Sequence, residues 1–149
     1  MIISQQFKIQ KFKIKNLNQR LEISGKVIKG DGYGRQIGFP TANLDRRQYV
    51  REKLNLKPSV WAGRVELKLN GGKLQVYKAG IVITPKDKTG RPKLEAHLIG
   101  FKGNLYGKPI TIYLEKYLRS WKKIKNLNEL KKQIRKDLVL IKKLKNNYE

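Results

Sequence analysis

The sequence predicts a mainly β domain, a small barrel or sandwich, closed by one amphipathic α-helix near its C-terminal end. Three observations predict it. Apolar residues recur at every second position in several short runs, and Gly, Pro and Asn separate those runs. Two of the runs flank Asn70-Gly71-Gly72, and an Asn-Gly between alternating segments is the strongest short-range hairpin signal. After Asn126 the apolar spacing changes from two to three and four, which is the period of a helix.

Taken in order, residues 7–15 (FKIQKFKIK) alternate apolar and basic, as an edge strand or a basic arm does, within a basic N-terminal segment 1–20. Residues 21–29 (LEISGKVIK) alternate again at Leu21, Ile23, Gly25 and Val27 and lead into a glycine-rich turn. From Leu44 to Lys57 the chain is polar, a surface loop or a short helical turn. Residues 60–69 put Trp61, Gly63, Val65, Leu67 and Leu69 on one face, and LQVYKAGIVI (74–83) returns beside them. A turn-rich loop at 85–93 precedes two further strands, 94–101 and 109–118. Leu127, Leu130, Ile134, Leu138, Ile141 and Leu144 then form the stripe of a helix over 126–145, and the stripe reads as core packing. Asn126 and Glu129 have the spacing of a capping box. No repeat and no low-complexity linker divides the chain, so residues 1–149 read as one domain.

Composition narrows the function. There is no cysteine, which excludes thiolate catalysis and Cys-ligated metals, and the single histidine, His97, excludes a multi-His site. No apolar run approaches the ~18 residues of a membrane span. Charge interrupts every apolar stretch at the N-terminus, so no signal peptide is expected. The expectation is a soluble, cytoplasmic monomer with no membrane partner. The 35 Lys+Arg against 11 Asp+Glu give +24, a surplus that attracts polyanions without choosing among them. Lys predominates over Arg, which suits a solvated surface better than base reading. A basic barrel that binds nucleic acid stays open as a rival, but Tyr33, Tyr77 and Tyr113 do not cluster into a stacking platform.

The most informative segment is GDGYGRQIGFPTANL, residues 30–44. Gly30, Gly32 and Gly34 allow positive φ and close approach of a ligand, with successive N–H groups turned inward as a nest for phosphate oxygens. The Walker ending Gly-Lys-Ser/Thr is absent, and Arg35 stands where a dinucleotide fingerprint needs glycine. Arg35 supplies a fixed cation. Beyond Gly38, the rigid Pro40 leads to Thr41 and Asn43, two neutral oxygen donors on one face of an extended chain. They could hold Mg²⁺ beside a triphosphate. In LEAHLIGF, alternation sends Glu95 to the same face as His97, Ile99 and Phe101, where partial desolvation would raise its basicity. The same pattern also fits an outward Glu paired with one of many lysines.

Together these residues resemble the riboflavin kinase family, of the bacterial and eukaryotic ATP-dependent type, over roughly residues 21–141. The Gly-rich turn through Gly-Phe-Pro-Thr-Ala-Asn meets the family pattern in full. The strands PSVWAGRVEL (58–67) and LEAHLIGF are similar, as are LYGKPITIYLEKYLR and the terminal KNLNELKKQIRKD. The resemblance implies a six-stranded antiparallel Greek-key barrel with a C-terminal helix. It implies transfer of the ATP γ-phosphoryl group to the ribityl 5′-hydroxyl of riboflavin, giving FMN and ADP. Gly30, Gly32, Gly34, Arg35, Gly38 and Pro40 would bind ATP, and Thr41 and Asn43 would hold Mg²⁺. Glu95 would be the base, and Arg119 would lie in the loop that covers the flavin.

Three positions depart from the family pattern. Gly80 to Asp87 replaces Asn-x-Gly-x-x-Pro-Thr-Phe, Gly100 replaces an acidic residue, and Ile124 stands where Phe is usual. The nucleotide half is therefore kept and the flavin half altered, which leaves a changed acceptor or a degenerate flavin-binding module as alternatives. Twenty residues precede the barrel, too few for the adenylyltransferase domain of bifunctional relatives, so FMN is expected without FAD.

Overall fold

The structure, a computed structural model, describes residues 21–47 and 56–145; the alternating run at 7–15 and residues 48–55 of the polar loop lie outside them. Six strands form: β1 (Leu21–Ile28), β2 (Ala42–Leu44), β3 (Ser59–Lys68), β4 (Leu74–Ile83), β5 (Leu94–Leu98) and β6 (Pro109–Ser120). A helical turn, α1 (Tyr33–Gln36), lies between β1 and β2, and the helix α2 (Leu127–Lys142) follows β6.

The strands close in the order β1-β2-β5-β4-β3-β6, with β6 returning to pair with β1, and every pairing is antiparallel. Closure decides between barrel and sandwich, and it leaves no free edge for another chain to extend. Strands β3, β4 and β5 run consecutively while β6 comes back beside β3, which is the Greek-key order. The β3–β4 hairpin turns at Asn70–Gly72, where Gly71 and Gly72 take φ of 80° and 84° and the Leu69 N–H donates to the Lys73 carbonyl at 2.6 Å.

Alternation fills the barrel. Leu21, Ile23 and Val27 of β1 point inward with Ile81 and Ile83, Leu94 and Ala96, and Ile112 and Leu114. Trp61 is fully buried, its indole N–H donating to Ser59 Oγ at 2.9 Å and its ring meeting Tyr117 edge-on at 5.6 Å. Strand β3 departs from a one-faced reading, because Val60, Ala62 and Arg64 on its other face are buried as well. The Arg64 guanidinium is paired with Glu115 of β6 and donates to the Lys145 carbonyl beyond α2. Glu115 is thus largely enclosed.

Helix α2 starts where the cap predicts: Asn126 Oδ1 accepts from the Glu129 N–H at 3.0 Å. Its apolar stripe corrects the core-packing expectation. Of the stripe only Ile141 is fully buried, against Gly80 of β4, while Leu127 is exposed and Leu130, Ile134 and Leu138 are half-buried beside a cleft. Polar clamps add to the attachment: Lys78 Nζ donates to the Lys142 carbonyl at 2.9 Å, and Asp137 is buried against Arg119. Among the described residues no helix is long and apolar enough to cross a membrane.

Candidate active site

The glycines of the glycine-rich turn serve two different needs, backbone conformation and close approach. Gly32 (φ 76°) and Gly38 (φ 95°) take left-handed conformations, whereas Gly30 and Gly34 do not. Those two are needed for space. A Cβ at Gly34 would come 2.4 Å from the Phe39 carbonyl oxygen, and one at Gly30 would come 2.3 Å from Asn43 Nδ2. The N–H groups that follow the glycines are engaged inside the segment. Tyr33 N–H donates to Asp31 Oδ1 at 2.9 Å, and the N–H groups of Gln36, Ile37, Gly38 and Phe39 all bond within the turn.

Strand register places the next residues. Asn43 on β2 pairs directly with Glu95 on β5, and Ala42 with Ala96. Ala42, Leu44, Leu94 and Ala96 face the core, so Asn43 and Glu95 stand side by side on the outer face. Thr41, two residues before Asn43, continues that face, as the sequence spacing predicts. His97, two residues after Glu95, is fixed there by its Nδ1, which donates to the Pro40 carbonyl at 2.7 Å, and by Phe39 edge-on at 6.0 Å. Phe101 is a correction: β5 ends at Leu98, Gly100 turns the chain at φ 84°, and Phe101 packs on Tyr77 at 5.4 Å, away from Glu95.

Two clefts meet at Thr41. The larger, about 520 Å³, lies between α1, the outer faces of β4 and β5, and α2; Glu95, His97, Gly34 and Arg119 line it with Trp121, Ile134 and Leu138. The smaller, about 310 Å³, lies between the glycine-rich segment and the 99–108 loop; Arg35, Pro40, Phe101 and Tyr106 line it. Thr41 lines both. Gly30, Gly32, Gly38 and Asn43 line neither directly, and Gly34 faces the larger cleft while Arg35 faces the smaller.

The Glu95 carboxylate has no hydrogen-bond partner among the described residues. Burial pushes its carboxyl above the ordinary glutamate range; Lys93 opposes that shift and Asp31 adds to it. The far wall of the larger cleft is the 84–93 loop, organised by Asp87. Asp87 accepts from the Thr89 hydroxyl and N–H and pairs with Arg46, contacts that hold its carboxyl well below the usual range.

Arg119 is not in a loop. It is the penultimate residue of β6, and its Nε and Nη2 donate to Asp137 at 2.9–3.3 Å, while Gln133 Nε2 donates to the same carboxylate at 3.0 Å. Alternation put His97 on the Glu95 face, and the same two-residue spacing could have marked Lys93; Asp31 and Asp137 carry no such signal, because each is tied to the cleft by a partner distant in sequence. For a metal, Thr41 and Asn43 present a hydroxyl and an amide oxygen, and the Gly30 cradle admits the Asn43 amide. Such sparse neutral donors suit Mg²⁺, which keeps waters and phosphate oxygens in its shell.

A family model described as riboflavin kinase matches residues 17–145. The chain belongs to the riboflavin kinase family. It is 37% identical over 121 residues to a bifunctional riboflavin kinase/FMN adenylyltransferase of Escherichia coli K12, covering 81% of this chain and 37% of that protein. Its identity to the protein of the same name from Buchnera aphidicola subsp. Schizaphis graminum is 33% over 129 residues, covering 87% and 40%. This riboflavin kinase family chain therefore spans about two fifths of the length of these curated relatives. Among solved structures, a riboflavin kinase of Trypanosoma brucei superposes with a TM-score of 0.58 at 21% identity, over 81% of this chain and 74% of that one. A Streptococcus pneumoniae chain titled macrolide-efflux protein superposes at 0.71 with 23% identity, over 85% and 40%. Both likenesses are of fold. The barrel and C-terminal helix expected for the family are those observed.

Proposed function

We propose that this protein phosphorylates riboflavin at the ribityl 5′-hydroxyl, using ATP and giving FMN and ADP. The observation that carries the reading is the junction at Thr41, where two clefts of unequal character meet beside Glu95. The smaller, with Arg35 at its edge, takes the nucleotide. The larger, with aromatic and aliphatic walls, takes the flavin and directs its ribityl chain toward Glu95.

Phosphoryl transfer needs positioning, charge neutralisation and an oriented nucleophile more than covalent help. Glu95 accepts the hydroxyl proton, and its raised basicity suits that task. Arg35 steers the nucleotide, and the close-packed turn at Gly34 holds Thr41 in register with β5. Thr41 and Asn43 would hold Mg²⁺, which when bound neutralises the phosphate charge. Gly30, Gly32, Gly38 and Pro40 act through the backbone shape of that segment. Arg119 acts through Asp137, holding α2 as the outer wall of the flavin cleft. The mostly apolar lining of that cleft favours a flavin over the polyanion that the basic surface alone would suggest.

Purified protein mixed with riboflavin and Mg-ATP, with the flavins separated by chromatography, tests the reading. FMN and ADP should appear in equal amounts and stop when the divalent metal is chelated. ATP binding with no FMN would contradict it. Thr41→Ala should raise the metal concentration needed for half-maximal rate while leaving riboflavin binding within twofold.

A further inference from the structure

Lys93 precedes Glu95 by two residues on the same outward face of the chain entering β5, and both side chains line the larger cleft. Two strand residues span about 6.6 Å, within a lysine side chain's reach. Its backbone is fixed twice by Thr84: the Thr84 N–H donates to the Lys93 carbonyl at 3.0 Å, and the Lys93 N–H donates to Thr84 Oγ1 at 2.8 Å. The ammonium is held loosely. Its ion-pair partner, Asp31 of the glycine-rich turn, is 3.7 Å away, and the two side chains are 42% and 63% exposed. A pair so long and so exposed contributes little and yields readily to a stronger anion.

Other cations around the cleft are differently placed. Arg119 is committed to Asp137, and Lys122 and Lys123 stand on the segment after β6. Lys93 is the cation on Glu95's own strand face. An acceptor hydroxyl that gives its proton to Glu95 comes within about 2.6–3.2 Å of it. The oxygens of the arriving phosphoryl group then lie where the Lys93 ammonium can meet them.

We propose that Lys93 is a further catalytic residue: its ammonium leaves Asp31, binds the phosphoryl oxygens during transfer, and stays on the phosphate of the monoester product. The inference rests on the riboflavin kinase reading above. In the step, the bond between the γ-phosphorus and the β–γ bridging oxygen breaks, and its electron pair leaves on ADP. A bond forms from the phosphorus to the acceptor oxygen, whose proton passes to Glu95. Lys93 exchanges no proton; it neutralises charge on the transferring oxygens. Asp31 holds the ammonium beside the cleft and competes with phosphate for it.

The test compares riboflavin with FMN, two ligands that differ by the phosphate alone, by flavin fluorescence on wild type, Lys93→Met, Lys93→Arg and Asp31→Asn. Lys93→Met should weaken FMN about tenfold and lower kcat about 10–100-fold, with riboflavin affinity and the ATP KM within about twofold. Lys93→Arg should keep most FMN affinity, and Asp31→Asn, which retains the Oδ1 acceptor for the Tyr33 N–H, should tighten FMN. An unchanged FMN affinity in Lys93→Met, or an equal loss of both flavins, would overturn the assignment while wild-type turnover stands. Wild-type protein that forms no FMN would overturn the riboflavin kinase reading itself.

Discussion

The Glu95 carboxyl is half-buried on β5, and burial raises its proton affinity above that of an ordinary glutamate. A folded state that binds the proton more tightly than the unfolded chain loses stability as pH rises through the folded pKa. The carboxylate that the proposed reaction needs therefore costs stability at neutral pH. Two outcomes follow at this residue. The kcat/KM–pH profile, which reports the free enzyme, should show an acidic limb above 4.5, the ordinary glutamate value, because activity disappears as Glu95 takes up its proton; a limb at or below that value would contradict the assignment of Glu95 as base. Glu95→Gln should raise Tm at neutral pH, read by a thermal melt. That Glu95 faces outward was legible from alternation. Alternation leaves its basicity open between a desolvated base and an outward, lysine-paired Glu, because the burial that raises it, and the Asp31 charge that adds to it, come only with tertiary structure.

Among the elements, two glycines make contrasting predictions. A Cβ at Gly63 would sit 1.8 Å from the Tyr113 carbonyl oxygen, where the β3–β6 pairing slips register. A Cβ at Gly80 meets only the terminal Cδ1 of Ile141, at 2.8 Å. Gly63→Ala should therefore cost about 3 kcal/mol or more and Gly80→Ala under about 1 kcal/mol, measured by urea unfolding, since backbone cannot give way as a side-chain tip can. Helix α2 depends on its polar clamp. Asp137→Asn leaves the partly enclosed Arg119 without its charge partner and should destabilise by about 1–3 kcal/mol, with riboflavin affinity falling more than ATP affinity. The helix itself was readable from its period and its Asn126 cap. Its stripe was misread, since periodicity finds an apolar face without saying whether core or cleft lies opposite. Phe101 was misplaced for a similar reason, because the turn at Gly100 breaks the period that alternation assumes.

At the scale of the molecule, closure and charge act together. The period-2 runs and the Asn-Gly-Gly turn made the β3–β4 hairpin legible, but not the return of β6 between β1 and β3, a pairing far apart in sequence and interrupted by two register shifts. A net charge of +24 on so small a protein repels itself, so salt should stabilise it. Raising the salt from about 0.02 to about 0.3 M shortens the Debye length severalfold and should raise Tm; a Tm that falls would mean ion pairs outweigh repulsion. The closed barrel brings Thr41 and Glu95 to one cleft, the placement on which the proposed reaction depends. The most direct test is to measure riboflavin phosphorylation and ATP affinity side by side for wild type and Glu95→Gln. The account predicts at least a hundredfold loss of turnover, about the contribution of a positioned base, with ATP affinity within about twofold. A variant that keeps the wild-type rate would contradict it.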